Sequence, residues 1–189
     1  PFSATTTVPD MIDSAKELPE MIRPSPWVER CIQHISEGGR VLDLACGSGR
    51  HSRLLAEKNH PVLAVDRNSL ALAGLAGVKG IETRLLELEG EDWSLAGETF
   101  AGIVVTNYLW RPRFADLLAL LAPGGVLIYE TFMLGNEAYG KPSNPDFLLR
   151  PQELRELISA AGLREIDFVE GYVDQPKPAM RQAICARRD

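Results

Sequence analysis

The 189-residue chain holds only three cysteines, Cys31, Cys46 and Cys185, widely spaced and without a CxxC pair. That spacing excludes a disulfide frame and a cysteine zinc site, and it fits reduced thiols in the core of a cytoplasmic protein. His34 and His60 stand at no ligand spacing, so no metal is expected. No apolar run approaches the ~20 residues that span a bilayer, which argues against a membrane partner. The opening segment, PFSATTTVPDMIDSAKELPEM, lacks a charged leader followed by an apolar stretch, so it does not read as a secretory signal. Basic surplus is missing too: 20 Lys and Arg stand against 26 Asp and Glu, for a net charge of −6. A protein that holds nucleic acid through its phosphates usually shows a basic face. Here the basic residues cluster only near the end of the chain, at Arg181, Arg187 and Arg188. A small-molecule partner is therefore expected and a nucleic acid is not.

What is present is ordinary globular material, 45% hydrophobic and 24% charged. The length suits one domain over residues 1–189, in which roughly 70% of the unfolded surface is buried. It divides into an N-terminal helical cap, 1–38, and a core, 39–189. A short helix is expected around Met11–Met21. A second starts at Ser25-Pro26 with Ser as cap and Pro in the first turn, and it carries Val28, Cys31, Ile32 and Ile35 on one stripe until Gly38-Gly39. From residue 40, short apolar runs alternate with helical patterns. The runs are Val41–Ala45, Val62–Val65, Ile81–Leu86, Ile103–Val105 and Val126–Tyr129, each reading as a strand covered on both faces. Phe114, Leu117, Leu118 and Leu121 form one helical stripe, and Leu154, Leu157, Ile158 and Ala161 another. Alternation of this kind predicts an α/β fold, a doubly wound and mostly parallel sheet with helices on both faces. Leu163–Val173 and Ala179–Ala186 are separated only by a turn, which permits an antiparallel pair but no parallel crossover. Seven strands ending in an antiparallel hairpin are expected.

The chemistry concentrates in Val41–Arg50, VLDLACGSGR, a buried strand that runs into a small-residue loop and then a helix. Ligands of such sheets bind beyond the carboxyl ends of the strands, where strand order reverses. Gly47 and Gly49 let backbone approach a ligand, and the N–H groups that open the next helix suit a carboxylate. A dinucleotide site needs G-x-G-x-x-G. In the best register those positions are Ala45, Gly47 and Arg50, so a nicotinamide-dependent oxidoreductase is disfavoured. Asp66 closes the second strand 17 residues beyond Gly49, where a carboxylate accepts both hydroxyls of a ribose. Glu87-Leu88-Glu89 closes the third strand, an edge able to accept from an adenine amino group. Thr106-Asn107-Tyr108 closes the fourth. Asp43 reads either as a ligand contact or as a cap for its own loop. Asp66 reads either as the ribose carboxylate or as a helix-start residue before Asn68 and Ser69. Cys46 invites a nucleophile reading, but without a histidine partner it fits better as a small residue packed under the ligand. Arg50 and His51 read equally as site or surface residues.

VLDLACGSGRHSRLLAEKNHPVLAVDRN resembles motifs I and II of the class I S-adenosylmethionine-dependent methyltransferases. LLALLAPGGVLIYETF resembles the helix, Pro-Gly-Gly turn and fifth strand of the same fold. GSGRHS and GNEAYGKPSNPDFLLRP look most like small bacterial methyltransferases of the tellurite-resistance group. The resemblance implies a Rossmann-like seven-stranded fold, S-adenosylmethionine as cofactor, and methyl transfer by direct displacement. It implies Asp43, Ala45, Cys46, Gly47 and Gly49 around the cofactor loop, Asp66 with Arg67 at the ribose, Glu87 or Leu88 at the adenine, and Thr106 with Asn107 in the same crevice. Ala45 departs from the glycine many members carry; as the smallest replacement it is expected to cost little and to leave the loop less open.

The acceptor side is less defined. Glu130–Arg150 is a 21-residue connection, the length of a lid or binding loop, and it carries Tyr139, Lys141, Asn144 and Phe147. Tyr108 and Trp110-Arg111 are expected to face the same pocket, with the segment around Trp27 above it. Where the acceptor must lose a proton, Tyr108, Glu130 and Tyr139 are the candidate catalytic bases. The N-P-P-Y pattern of amino-directed nucleic-acid methyltransferases is replaced by T-N-Y-L. A methyltransferase-fold binding module without catalysis is the competing reading. A monomer and a homodimer are equally compatible with the sequence.

Overall fold

The structure, a computed structural model, describes residues 23–189. The helix expected around Met11–Met21 lies outside the described residues.

The first helix, α1 (Pro26–Cys31), starts as its sequence predicts. The Ser25 side chain accepts the N–H of Trp27 at 3.1 Å, and Pro26 fills a first-turn position whose missing N–H costs nothing. The chain tightens into a 3-10 turn at Ile32–His34 and then enters the sheet. Its strands are β1 (Val41–Leu44), β2 (Val62–Asp66), β3 (Ile81–Leu85), β4 (Phe100–Thr106), β5 (Leu121–Phe132), β6 (Arg164–Val173) and β7 (Ala179–Arg187). They lie in the order β3-β2-β1-β4-β5-β7-β6. All neighbours are parallel except those of β7, which runs antiparallel between β5 and β6. The expected seven-stranded α/β sheet with an antiparallel ending is the observed one. The chain winds outward from β1 to β3 and then returns to β4 on the other side of β1. Strand order therefore reverses between β1 and β4.

Period-two alternation assigns each strand residue to a face. Val41, Val104 and Ile128 pack under α1 and α2 (Arg50–Glu57), together with Val28, Ile32 and Leu55. Leu42, Ile103, Val105 and Leu127 pack on the other face against Phe114 and Leu117 of α4 (Phe114–Ala119) and Leu154 of α5 (Glu153–Ala160). α3 (Ser69–Ala73) adds a small cluster of Leu72, Leu75, Cys46 and Ala64. These side chains are almost fully buried, and each fully buried Leu or Ile contributes roughly 1.5–3 kcal/mol.

Two sequence expectations are corrected. Ile81–Leu86 is apolar enough to read as a strand covered on both faces, yet β3 is an edge strand. Glu82 and Thr83 are exposed and Leu85 is 61% exposed, and among the described residues no strand pairs outside it. Leu121 continues the helical stripe of Phe114, Leu117 and Leu118, but α4 ends at Ala119 and Leu121 pairs with Phe100 in the sheet. The backbone then turns through Pro123-Gly124-Gly125 inside β5, with Gly124 at φ +76°.

The long connection after β5 is pinned at several points. Met133 bridges to Leu149, and Leu134 N–H donates to the Leu149 carbonyl at 2.9 Å. Glu153, 2% exposed, receives Arg111 through both oxygens, at 2.6 Å from Nε and 2.9 Å from Nη2. The same guanidinium donates to the carbonyls of Asp146 and Leu148. Burial alone would raise the Glu153 carboxyl, but hydrogen bonds from Arg111 and from Arg150 N–H outweigh it and hold it below the usual range. Arg111, expected in the binding pocket, is thus spent on fixing the loop. Removing one partner of such a pair leaves a buried charge alone. Arg111→Met is expected to lower the unfolding free energy by about 3 kcal/mol, read from the urea midpoint, whereas a change below about 0.5 kcal/mol would mean the loop is held by other contacts.

Candidate active site

The loop Ala45–Gly49 follows β1, which β2 and β4 flank in parallel where strand order reverses. Asp66, the last residue of β2, faces that loop across the β1–β2 pair. Its Oδ2 accepts the Gly47 N–H and its Oδ1 the Asn68 N–H, both at 2.8 Å. Each oxygen thus uses one acceptor position on the backbone and keeps another, the arrangement needed to take two hydroxyls. Gly47 has φ +54°, and a Cβ built there would meet nothing within 4 Å. Among the described residues, the space over Gly47 is open. Gly49 answers a different need: at φ +77° it opens α2, and a Cβ there would stand 2.4 Å from Leu75.

Ala45 has φ +55°, in the left-handed region. The alanine that seemed a small change of size is a backbone matter instead, and this conformation costs a non-glycine residue roughly 1 kcal/mol. Cys46 packs against Ala64, Leu72 and Leu75, with burial and the carboxylates of Asp43 and Asp66 pushing its thiol well above the usual range. A thiol held protonated is a poor nucleophile, in line with the packing reading.

The first turn of α2 organises the loop from behind. Asp43 is 1% exposed and accepts from the Ser52 hydroxyl at 2.5 Å. Burial pushes its carboxyl up to about 7 even against that bond. His51, for which site and surface looked equal, is 1% exposed. Its Nε2 accepts the Ser25 N–H at 3.0 Å, so the ring proton sits on Nδ1, 3.4 Å from Thr106 Oγ1. Burial, assisted by Arg50, lowers its pKa to about 3 and keeps the imidazole neutral. Arg50 itself reaches outward to the Arg23 carbonyl.

The remaining sequence candidates divide. Thr106 and Glu130 are paired in register at the ends of β4 and β5. Both continue, two residues on, the stripe of Val104 and Ile128, so both lie on the α1 and α2 side. Ser25 Oγ donates to Glu130 Oε2 in a very short hydrogen bond. Arg181 of β7 lies 3.5 Å from Glu130 Oε1, donates to Asn107 Oδ1 at 2.9 Å and covers the Phe132 ring. Asn107 is exposed at φ +56°. Leu88 and Tyr108 line an aromatic pocket with Trp93, Trp110, Phe114 and Tyr129, on the other side of the sheet end. Among the described residues the Tyr108 hydroxyl has no hydrogen-bond partner, and burial with Glu89 and Glu87 nearby pushes its pKa well above the usual tyrosine value. That makes it a poor base. Glu87 is exposed and accepts the Glu89 N–H, and Arg67 is exposed beside Asp66. Tyr139 is not brought to the loop: 48% exposed, it packs on Tyr172 of β6, with β4, β5 and β7 lying between β6 and β1. Ser25 and Arg181 were missed as site residues, Ser25 being read only as a cap and Arg181 only as part of a basic cluster.

A mostly parallel seven-stranded sheet in this order, ending in an antiparallel pair, is the Rossmann-like methyltransferase fold, with the glycine loop and the acidic end of β2 at the reversal of strand order. Residues 41–125, a little under half of the chain, match the family model of a methyltransferase domain. Among curated relatives, it is 26% identical over 152 residues to the tRNA U34 carboxymethyltransferase of Methylococcus capsulatus, covering 70% of this chain and 47% of that protein. It is 28% identical over 165 residues to the ubiquinone biosynthesis O-methyltransferase of Cereibacter sphaeroides, covering 74% and 66%. The chain thus spans about half of the first relative and just under two thirds of the second. Among solved structures, TehB from Haemophilus influenzae superposes with a TM-score of 0.70 at 21% identity, over 86% of this chain and 61% of that one. Among the described residues no helix is long and apolar enough to cross a membrane, and no cluster of metal-ligating side chains occurs.

The two buried groups behind the loop titrate in opposite senses. Asp43 binds its proton more tightly folded than unfolded, so its contribution to stability grows as pH falls from about 7 toward the unfolded value of 3.8. His51 binds its proton more weakly when folded, so stability is lost as pH falls through 6.5 toward 3. Between pH 7 and 5 the two offset each other. His51→Gln is expected to become more stable on acidification over that range, and Asp43→Asn less stable, each by on the order of 2 kcal/mol in urea titrations at the two pH values. Parallel profiles for the wild type and both variants would contradict these assignments.

Proposed function

We propose that the chain is a methyltransferase that binds S-adenosylmethionine at the Ala45–Gly49 loop and methylates a small-molecule acceptor. The observation that carries this reading is the Asp66 carboxylate, held by the Gly47 and Asn68 backbone with one free acceptor position on each oxygen. In this assignment Asp66 takes the ribose hydroxyls, and the open space over Gly47 takes the chain that links ribose to methionine. Asp43, Ala45, Cys46 and Gly49 shape the floor of the loop, Arg67 flanks the ribose, and Glu87 and Leu88 lie at the adenine end. Thr106 and Asn107 form the wall toward the acceptor.

When bound, S-adenosylmethionine supplies a methyl group already activated on a sulfonium. The protein's work is then to align the acceptor and exclude water. Glu130 is the candidate base on the face of the loop's helix; it sits two strands from β1, about 10 Å at the usual strand spacing. A nucleic-acid acceptor, suggested by the name of the tRNA-modifying relative, is less favoured. Net charge is −6, Arg111 is committed to Glu153 and loop carbonyls, and Arg181 is tied to Glu130 and Asn107.

S-Adenosylhomocysteine is expected to raise the melting temperature by several degrees at saturating concentration, as binding to the folded state alone requires. Asp66→Ala is expected to remove most of that shift. No shift at millimolar ligand, or protection by NAD(H) instead, would overturn the assignment.

A further inference from the structure

Ser25 and His51 form a continuous polar path from the first turn of α2 to Glu130. The path starts in the first turn of α2, two residues beyond Gly49. His51 is almost fully buried in a setting that keeps its ring neutral, so Nε2 is an obligate acceptor and receives the Ser25 N–H at 3.0 Å. The Ser25 hydroxyl has a single proton. Its oxygen already accepts the Trp27 N–H, and its proton goes to Glu130 Oε2. On the other side Nδ1–H of His51 faces Thr106 Oγ1, the register partner of Glu130 on β4. Glu130 Oε1 faces Arg181. The carboxylate is therefore oriented from both sides, and one side of that grip is the helix cap of α1.

A cap serine needs only to accept from the helix. Donation to a carboxylate 105 residues away, with its own N–H fixed by a buried histidine 26 residues away, is more than capping requires. We propose that Ser25 and His51 are positioning residues that aim Glu130 at a protic acceptor, one that presents a hydroxyl or N–H to the methyl group. As the acceptor oxygen or nitrogen forms its bond to the methyl carbon, the carbon–sulfur bond breaks with its electron pair left on sulfur. The acceptor's proton moves to Glu130 Oε1 and leaves to solvent. This rests on the methyltransferase reading above and adds to it the class of acceptor and the residues that set the base.

The test uses the full chain with methyl-labelled S-adenosylmethionine and the low-molecular-mass fraction of a bacterial extract as acceptor source. S-Adenosylhomocysteine affinity and melting temperature are read in parallel. Ser25→Ala and Glu130→Gln are each expected to lower the labelling rate at saturating cofactor at least tenfold, with S-adenosylhomocysteine affinity within twofold of wild type. Ser25→Thr, which keeps the hydroxyl, is expected to recover to within threefold. The double variant is expected to be no slower than the slower single one, because both act through one carboxylate. His51→Leu is expected to slow labelling and His51→Gln, which restores an acceptor for the Ser25 N–H, to recover part of the rate. Additive losses in the double variant, or Ser25→Ala above half the wild-type rate, overturn the positioning role while leaving the methyltransferase reading intact. Loss of S-adenosylhomocysteine binding in the wild type, or binding without any labelling, overturns that reading and the inference with it.

Discussion

The site depends on one contact between neighbouring strand ends, the Asp66 carboxylate on the backbone of Gly47 and Asn68. A side-chain carboxylate at the end of a parallel strand has no ladder partner and would swing in solvent. Two backbone N–H groups fix it at low entropic cost, since both belong to turns already ordered by the sheet. That fixation brings the β2 end and the β1 loop into one cradle. It also accounts for the left-handed turns at Ala45 and Gly47. Without those turns the Gly47 N–H would not reach across to β2.

Behind the cradle lies an uncommon concentration of buried polar groups. Asp43 and Ser52 pair with each other, and His51 joins α2 to the cap of α1 and to the end of β4. Buried polar groups are costly unless paired, and these are paired. One consequence is electrostatic: Asp43, titrating near 7, and His51, neutral to about 3, place no fixed net charge beneath the loop in acid. Another is mechanical. The polar chain His51–Ser25–Glu130 ties α2, the cap of α1 and β5 together.

Much of this was readable from the sequence because its signals are local. The spacing from Asp43 through Gly49 to Asp66 lies within a single β-α-β unit, so strand-end and loop positions follow from apolar runs and glycines. The antiparallel ending was legible for the same reason, since the short turn before Ala179 permits nothing else. What escaped depends on contacts distant in sequence. Ser25 looks like any helix cap until Glu130 is beside it. His51 looked as exposed as Arg50, because α2's first turn does not reveal that α1 covers one of them. Arg111 pointed toward the pocket by position, but Glu153, 42 residues on, captures it. Leu121 fell on a helical stripe because a 3.6-residue pattern ran by chance into the first residue of β5. The apolar content of β3 likewise hid its place at the edge of the sheet, which only strand order decides.

The central claim is that the crevice at the reversal of strand order holds S-adenosylmethionine through Asp66 and the Gly47 turn. A crystal structure of the chain soaked with S-adenosylhomocysteine tests it most directly. The account predicts both ribose hydroxyls on the Asp66 carboxylate, adenine toward Leu88, and the homocysteine chain across Gly47. A ligand bound elsewhere, or an empty crevice at a concentration that stabilises the protein, would contradict it.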